Sequence, residues 1–452
     1  MHRYFTFITA GLALLVSSIS ITVVAVALPS LTGDLGTNIL WAAWSISIYQ
    51  LATTVIMPLA GRASDSLGHR RVFLLSLGLF TLSSFFCGVS PNIHFLLLFR
   101  FFQGIGGGCF LPAAAGIVAS NFPENRQAAI GLFSSIFAIG GLVGPNLGGW
   151  IVEDYSWRYL FFLNVPLGVA LIGLMLLSPK ESETVVQRSF DLAGVALLSA
   201  TIFLLMLGFN FVSEKPSIFY YVLAALFFAA SGYLNVLFFR HEKKAKDPIL
   251  DIALLKSRPF LAANLYNVIM GVGLLGVFSF VPFYAISVYK LSTFASGMIL
   301  TPRSVGVIAA SAVTSFLLTR WGYRWPMVWG LVITSLATIL LGQGPDLLRL
   351  LDLHMGPTEF LALLMLLSGI GIGITLPASN NACIELMPEK VATITGLRGM
   401  FRSVGGVLGI SLITTVLHLS SNPTNGFKIA FTSFGLGLLF AFPLIFLMPT
   451  GK

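Results

Sequence analysis

Apolar positions in this chain fall in long unbroken runs, without the two-residue alternation of a half-buried strand or the narrow stripe of a surface helix. Fourteen runs are long enough to cross a hydrocarbon core, which takes about 20 apolar residues. They cover approximately 5–28, 40–61, 71–89, 94–118, 127–151, 158–178, 192–212, 217–239, 260–287, 296–318, 325–343, 358–380, 392–418 and 428–448. Backbone groups in lipid must be satisfied within their own segment or in a closed barrel, and runs of this length fit helices. The pattern predicts an all-α, polytopic membrane protein.

Composition agrees, with 56% hydrophobic and 10% charged residues and a mean hydropathy of +0.91, against about 25% charged in a soluble domain. The first run follows Arg3 and contains Ala25 and Ala27 in an A-x-A arrangement. It is roughly twice the length of a leader's apolar segment, so it is read as span one. Cys87, Cys109 and Cys383 all fall inside spans; an odd number without framework spacing reads as small core residues, not disulfides or metal ligands. No cofactor is implied.

Orientation follows from Lys and Arg in the loops. With a cytoplasmic N-terminus, the outside loops hold only Arg158, Lys215, Lys290, Arg349 and Lys428, while the inside loops collect the rest, including Arg62, Arg70, Arg71, Arg240, Lys243, Lys244 and Arg324. Both termini are then cytoplasmic. The net charge of +9 follows from this bias, and no nucleic-acid partner is needed to explain it. The lipid bilayer is the partner that composition demands.

The chain also repeats itself. "GIGGGCFLPA" from Gly104 returns as "GIGIGITLPA" from Gly369, an offset of 265. At the same offset "IGGLVG" from Ile139 returns as "VGGVLG" from Val404, while "LGHRR" aligns with "WGYRW" at an offset of 254, pairing Gly68 and Arg70 with Gly322 and Arg324. Spans one to six therefore correspond to nine to fourteen in the same orientation, with spans seven and eight inserted. The expected organisation is 1–180, 181–257 and 258–452. Like-oriented six-helix halves are the parallel repeat of a secondary transporter, with a small-molecule substrate bound between them. Glycine clusters let helices approach closely, though any single cluster is also compatible with generic packing.

At this point the residues resemble a family, the major facilitator superfamily, and within it the fourteen-span drug:proton antiporters. "GRASDSLGHRR" resembles the loop motif G-x-x-x-D-x-x-G-x-R-R through Gly61, Asp65, Gly68, Arg70 and Arg71. "RFFQG" resembles the fourth-span R-x-x-Q-G through Arg100, Gln103 and Gly104. The fifth-span exporter motif is matched by Gly140, Gly144, Pro145, Gly148 and Gly149. "WRYLFFLNVPLG", "FDLAGVALL" and "DPILDIALLKSRPF" are similar to the fourteen-span branch. The resemblance implies multidrug efflux through the cytoplasmic membrane by a monomer, with Asp65 as a conformational gate; anchoring by positive charge is the alternative for Arg70 and Arg71.

The first span departs from the family. There the family reads like L-D-x-T-I-V-N-V-A-L-P, whose Asp is a candidate proton carrier, whereas "ISITVVAVALP" puts Ser20 at that position and Ala25 at the Asn position. All acids lie in loops or at span ends, the nearest being Asp34, Glu359 and Glu385. The spans hold Arg100, Arg303, Arg398 and Arg402 instead. A charge at a span centre costs at least about 2.5–3.5 kcal/mol, so each should face a cavity or a partner; snorkelling toward the interface is the alternative for Arg303 and Arg398. Candidate cavity residues are Tyr49, Gln50, Asn146, Arg303, Asn380, Asn381, Arg398 and Arg402. Three functions stay open: an exporter of amphipathic molecules or drugs, a uniporter or anion-linked carrier for anionic or zwitterionic amphipaths, and a non-transporting sensor. The coupling ion is a proton or an anion. No catalytic motif is present, so an enzyme is not expected.

Overall fold

A computed structural model of the chain describes residues 2–37, 39–122, 124–177, 191–214, 217–245, 257–291, 293–344, 356–420 and 422–451. Among them every regular element is helical. Among the described residues eleven helices are long and apolar enough to cross a membrane.

The chain divides into two compact units, residues 1–190 with 387–397, and residues 191–386 with 398–452. In the first, α1 (His2–Thr22) and α2 (Val24–Asp34) form span one, followed by α3 (Ile39–Leu67), α4 (His69–Gly88), α5 (Ile93–Asn121), α6 (Arg126–Asp154), α7 (Tyr159–Phe162) and α8 (Asn164–Leu177). The second begins with the hairpin α9 (Leu192–Glu214) and α10 (Ile218–Glu242), where Ser231 donates to the Thr201 carbonyl at 2.8 Å. It continues through α11 (Arg258–Gly271), a π turn (Val272–Val277), α12 (Val281–Tyr289), α13 (Thr293–Met298), α14 (Leu300–Trp321), α15 (Arg324–Gly342) and α16 (Pro357–Glu385). Then come α17 (Val391–Leu419), α18 (Pro423–Leu438), a 3-10 turn and α19 (Phe442–Leu447). Helix α17 starts in the first unit and ends in the second.

Local sequence sets the helix starts. Asn92 accepts from the Phe95 amide at 2.9 Å, and Asn422 from the Thr424 amide at 3.0 Å. Ser257 caps α11, with Pro259 supplying the first-turn geometry. Short polar side chains at these positions satisfy amides that the helix itself leaves unpaired. Pro112 and Pro377 sit inside α5 and α16, both continuous through the proline.

The repeat is reproduced in its glycine contacts. A Cβ on Gly104 would lie 2.6 Å from the Tyr49 carbonyl oxygen, one on Gly106 2.8 Å from that of Ser76, and one on Gly108 2.8 Å from that of Thr53. In the second unit Gly369 abuts the carbonyl of Arg303, Gly371 that of Gly330, and Gly373 that of Val307. These are the same pairs displaced by 265 on the glycine side and 254 on the other. The α1–α6 contact repeats as well. Gly140 and Gly144 meet Ser18 and Thr22, while Gly405 and Gly409 meet Val268 and Val272, which fixes the offset of span one at 250.

The loops follow suit. Gly68 and Gly322 adopt φ of 98° and 67°, values that only glycine reaches cheaply. Next to them Arg70 donates to the Met175 carbonyl at 2.7 Å, and Arg324 to that of Phe446 at 3.0 Å. Each arginine ties the end of its unit's last span.

Gly104→Val should drive a side chain into the Tyr49 backbone and cost about 1–3 kcal/mol, the usual penalty of overpacking. Gly78, also in a helix, has no neighbouring atom within 4 Å of the place a Cβ would take, so Gly78→Ala should leave the melting temperature unchanged or slightly raised. Thermal unfolding of the purified protein checks both, and equal behaviour of the two variants contradicts the packing argument.

Candidate functional site

Three polar constellations stand out against the apolar interior. The first surrounds Asp65, near the C-terminus of α3 and beyond the run that ends at residue 61. Its carboxylate accepts from the Ala392 amide at 3.3 Å, the Thr393 amide at 2.8 Å and the Thr393 hydroxyl at 2.6 Å. These amides belong to the first turn of α17, where donors lack partners and the helix dipole favours an anion. Gly61, one turn earlier, makes room: a Cβ there would lie 2.7 Å from Thr393 Cα. His69 stands 4.0 Å from Asp65 and shares a 2.8 Å hydrogen bond with Ser64. Burial raises the Asp65 carboxyl above its ordinary range, opposed by the hydrogen bonds of Thr393 and Ala392 and by the nearby imidazole. Arg71 is exposed.

The second surrounds Arg100, fully buried in α5. Its Nε donates to the Ser45 carbonyl at 2.9 Å and its Nη1 to Gln103 Oε1 at 2.6 Å. Gln103 passes the chain on to Ser84 at 2.7 Å. The guanidinium lies 4.2 Å over the ring of Tyr49, whose hydroxyl is 3.4 Å from Ser17. Carbonyl, amide and ring face thus replace a counter-ion, and Nη2 keeps no hydrogen-bond partner among the described residues. An unpaired buried charge of this kind costs several kcal/mol unless dipoles compensate it. Nearby, Ser20 is buried and accepts from Asn164 at 3.2 Å, so the acid position of the family holds a neutral, hydrogen-bonded hydroxyl.

The third lies in the second unit. Arg398 is buried and donates to Asn380 Oδ1. Arg402 follows one turn later, and its backbone carbonyl abuts Gly271 of α11. Arg303 stacks 4.2 Å over Phe278 and reaches the Leu274 carbonyl at 3.4 Å, within the π turn, whose wider ladder frees such acceptors. Asn381 donates to the Pro377 carbonyl of its own helix at 2.9 Å.

Gln50 is half-buried in α3, and Gly148 is buried in α6. The side chains of Pro145 and Asn146, and Gly149, lie outside the described residues. An apolar crevice of about 370 Å³ opens among α11, α17 and α18, lined by Ile269, Leu412 and Phe434 among others; none of the arginines or asparagines above lines it. No cluster of His, Cys, Asp and Glu able to hold a metal occurs among the described residues. The two ion pairs found there are His69 with Asp65 and His241 with Asp191, so no span arginine is paired with a carboxylate among those residues.

A duplicated helical scaffold with such sparse polar groups has the character of a membrane carrier. The chain matches the Major Facilitator Superfamily over residues 10–410 and again over 268–451, and it belongs to that family. It is 30% identical over 424 residues to the multidrug transporter protein MdtP of Bacillus subtilis, covering 92% of this chain and 76% of that protein. It is 30% identical to multidrug resistance protein 3 of the same species, covering 91% and 79%. The tetracenomycin C resistance and export protein of Streptomyces glaucescens is 29% identical, covering 91% and 75%. Among solved structures, the human organic anion transporter MFSD10 (TETRAN) superposes with a TM-score of 0.72 at 16% identity, covering 98% of this chain and 99% of that one, a likeness of fold. The second family match, confined to the later part of the chain, fits the repeat.

Sequence reasoning missed three partners: Thr393 for Asp65, Ser84 for Gln103 and Asn164 for Ser20. The offset of 250 makes Asn267 the counterpart of Ser17 in the repeat, but the intervening loops hide it in a linear comparison.

Replacing Asp65 by Ala should remove the cap of α17 at a cost of about 0.5–2 kcal/mol. Hydrogen exchange at residues 391–394 should then accelerate, while exchange in α5 stays at its original rate. Unchanged exchange in that turn would show that Asp65 does not hold it.

Proposed function

We propose that this protein is a fourteen-span secondary transporter that exports amphipathic small molecules or drugs across the cytoplasmic membrane by alternating access. Three further helices, Ile39–Leu67, Arg126–Asp154 and Leu192–Glu214, beside the eleven described helices long and apolar enough to cross a membrane, support a count of fourteen. The excess of basic residues in alternate loops supports cytoplasmic termini. In this reading the chain works as a monomer, residues 181–257 are an insertion between six-helix bundles 1–180 and 258–452, and the partners are lipid and a small-molecule substrate.

The observation that carries the reading is the cap of α17 by Asp65. Carriers need a contact that holds one state firmly yet can be released whole. Three hydrogen bonds between one carboxylate and one helix terminus have that character, because no side-chain interdigitation must be undone. The names of the relatives supply the cargo, drugs in two cases and tetracenomycin C in the third. Tyr49, Gln50, Asn146, Arg303, Asn380, Asn381, Arg398 and Arg402 are the proposed pathway residues, and the fifth-span glycines Gly140 and Gly144 the proposed pivot.

A second reading, a carrier linked to anions, is favoured by one observation: the arginines of the spans have no carboxylate partner among the described residues. Proton coupling lacks its usual group. Asp34 is exposed and accepts from the Trp157 indole at 2.9 Å, Glu359 is exposed and caps its own helix through the Gly356 amide at 3.2 Å, and Glu385 is exposed. Arginine does not titrate near neutrality.

Proteoliposomes with imposed pH or anion gradients, loaded with cationic, neutral and anionic fluorescent amphipaths, test these readings together. Transport is expected, with weak dependence on the pH gradient. Steeply proton-driven transport in the triple variant Asp34→Asn, Glu359→Gln, Glu385→Gln would overturn the account of coupling, and no movement of any amphipath would overturn transport.

A further inference from the structure

The two units repeat their backbone contacts but not their polar chemistry. At the offsets fixed by the glycine contacts, Val16 and Ser17 correspond to Tyr266 and Asn267, Ala115 and Val118 to Asn380 and Cys383, and Phe133 to Arg398. All ten are buried. Four of the five pairs exchange an apolar side chain for a polar one or a thiol, and the fifth exchanges a hydroxyl for an amide. The changes occur on α11, α16 and α17, which the fold brings together: Arg398 donates to Asn380, Asn267 donates to Cys383 Sγ at 3.4 Å, and Gly405 and Gly271 seat α17 directly on α11. Shared ancestry of the repeat explains the glycines. It does not explain a polar nest in one copy alone.

The nest is rich in donors and poor in negative charge. Arg398 has Arg402 one turn away on the same face, and Arg402 makes no hydrogen bond or ion pair among the described residues. The hydroxyls of Tyr266 on α11 and Thr375 on α16 are both buried without a hydrogen-bond partner among the described residues. Glu385, the nearest carboxylate along α16, is exposed at the helix end. Two guanidinium groups and two hydroxyls among apolar helices therefore offer donors and positive charge together.

We propose that this nest, centred on Arg398 in the second unit, receives the carboxylate of an amphipathic substrate. The proposal rests on the transport reading above and names the substrate class. A planar guanidinium fork matches a carboxylate in a way that a point charge does not, and the hydroxyls can donate to the oxygen lone pairs left over. Cationic amphipaths would meet like charge at the same place.

The test uses the full-length protein in lipid nanodiscs and two probes with the same apolar body, 11-(dansylamino)undecanoate and its primary amide, with empty nanodiscs as background. The carboxylate is expected to bind about tenfold more tightly than the amide, a difference that one well-formed charged contact supplies. Arg398→Gln should abolish the preference, and Tyr266→Phe should weaken carboxylate binding about threefold without affecting the amide. Equal affinities in the unaltered protein, or a preference that survives Arg398→Gln, overturn the proposal. If Arg398→Gln does not insert, Arg398→Lys and Tyr266→Phe decide, since an unchanged preference in both places the carboxylate elsewhere. Binding is read without a gradient, so the two ideas fail separately. Carboxylate binding without movement in proteoliposomes rejects the transport reading, and transport without carboxylate preference rejects the site.

Discussion

The structure depends on helices that touch backbone to backbone. At Gly104, Gly106 and Gly108, and again at Gly369, Gly371 and Gly373, the neighbouring carbonyl occupies the space a side chain would need. In lipid there is no hydrophobic drive to press helices together, so association relies on close van der Waals approach and on polar groups shared across the contact. Thr53 shows the second element, donating to the Gly104 carbonyl at 3.1 Å. Such contacts specify geometry with little side-chain information. That is why they can be copied intact while the rest of the sequence diverges.

Once backbone contacts carry the architecture, side chains in the interior are free to carry charge. Arg100 shows what this takes: a carbonyl, an amide and an aromatic face replace the missing carboxylate. The corresponding residue of the second unit, 265 positions later, is Met365, so this cation is not part of the repeat. Arg398, conversely, stands where the first unit has Phe133. Each unit has its own buried arginine on a different helix, and the equivalence of the halves is one of scaffold only.

The family, the helical class, the repeat and the residues of the loop motif were legible in the sequence because each is a local pattern: an apolar run, a spaced glycine, a Gly-Asp-Gly loop. What holds Asp65 was not, since Thr393 lies 328 residues away and a helix N-terminus accepts an anion through amides that every residue possesses. The same limit hid Asn164 behind Ser20. Asn381, expected to line a pathway, also donates to the Pro377 carbonyl of its own helix. A polar residue within a span serves a pathway or its own backbone, and composition does not distinguish them. The assignment of residues 387–397 to the first unit was equally invisible, because α17 is one uninterrupted helix in sequence pattern and in space.

The distribution of charge then bears on how such a protein is driven. A group that takes up a proton on one side and releases it on the other must change its charge near neutral pH while shielded from bulk water. Ser20 cannot, and the span arginines remain charged at any physiological pH. The carboxyl of the part-buried Asp65, beside the spans, is displaced upward, and it occupies the cap of α17. Protonating it would remove the charge that binds the helix terminus, so here titration and release of the contact involve the same oxygen atoms. That arrangement places any pH sensitivity of Asp65 at the cap of α17, apart from the fixed positive charge of the span arginines.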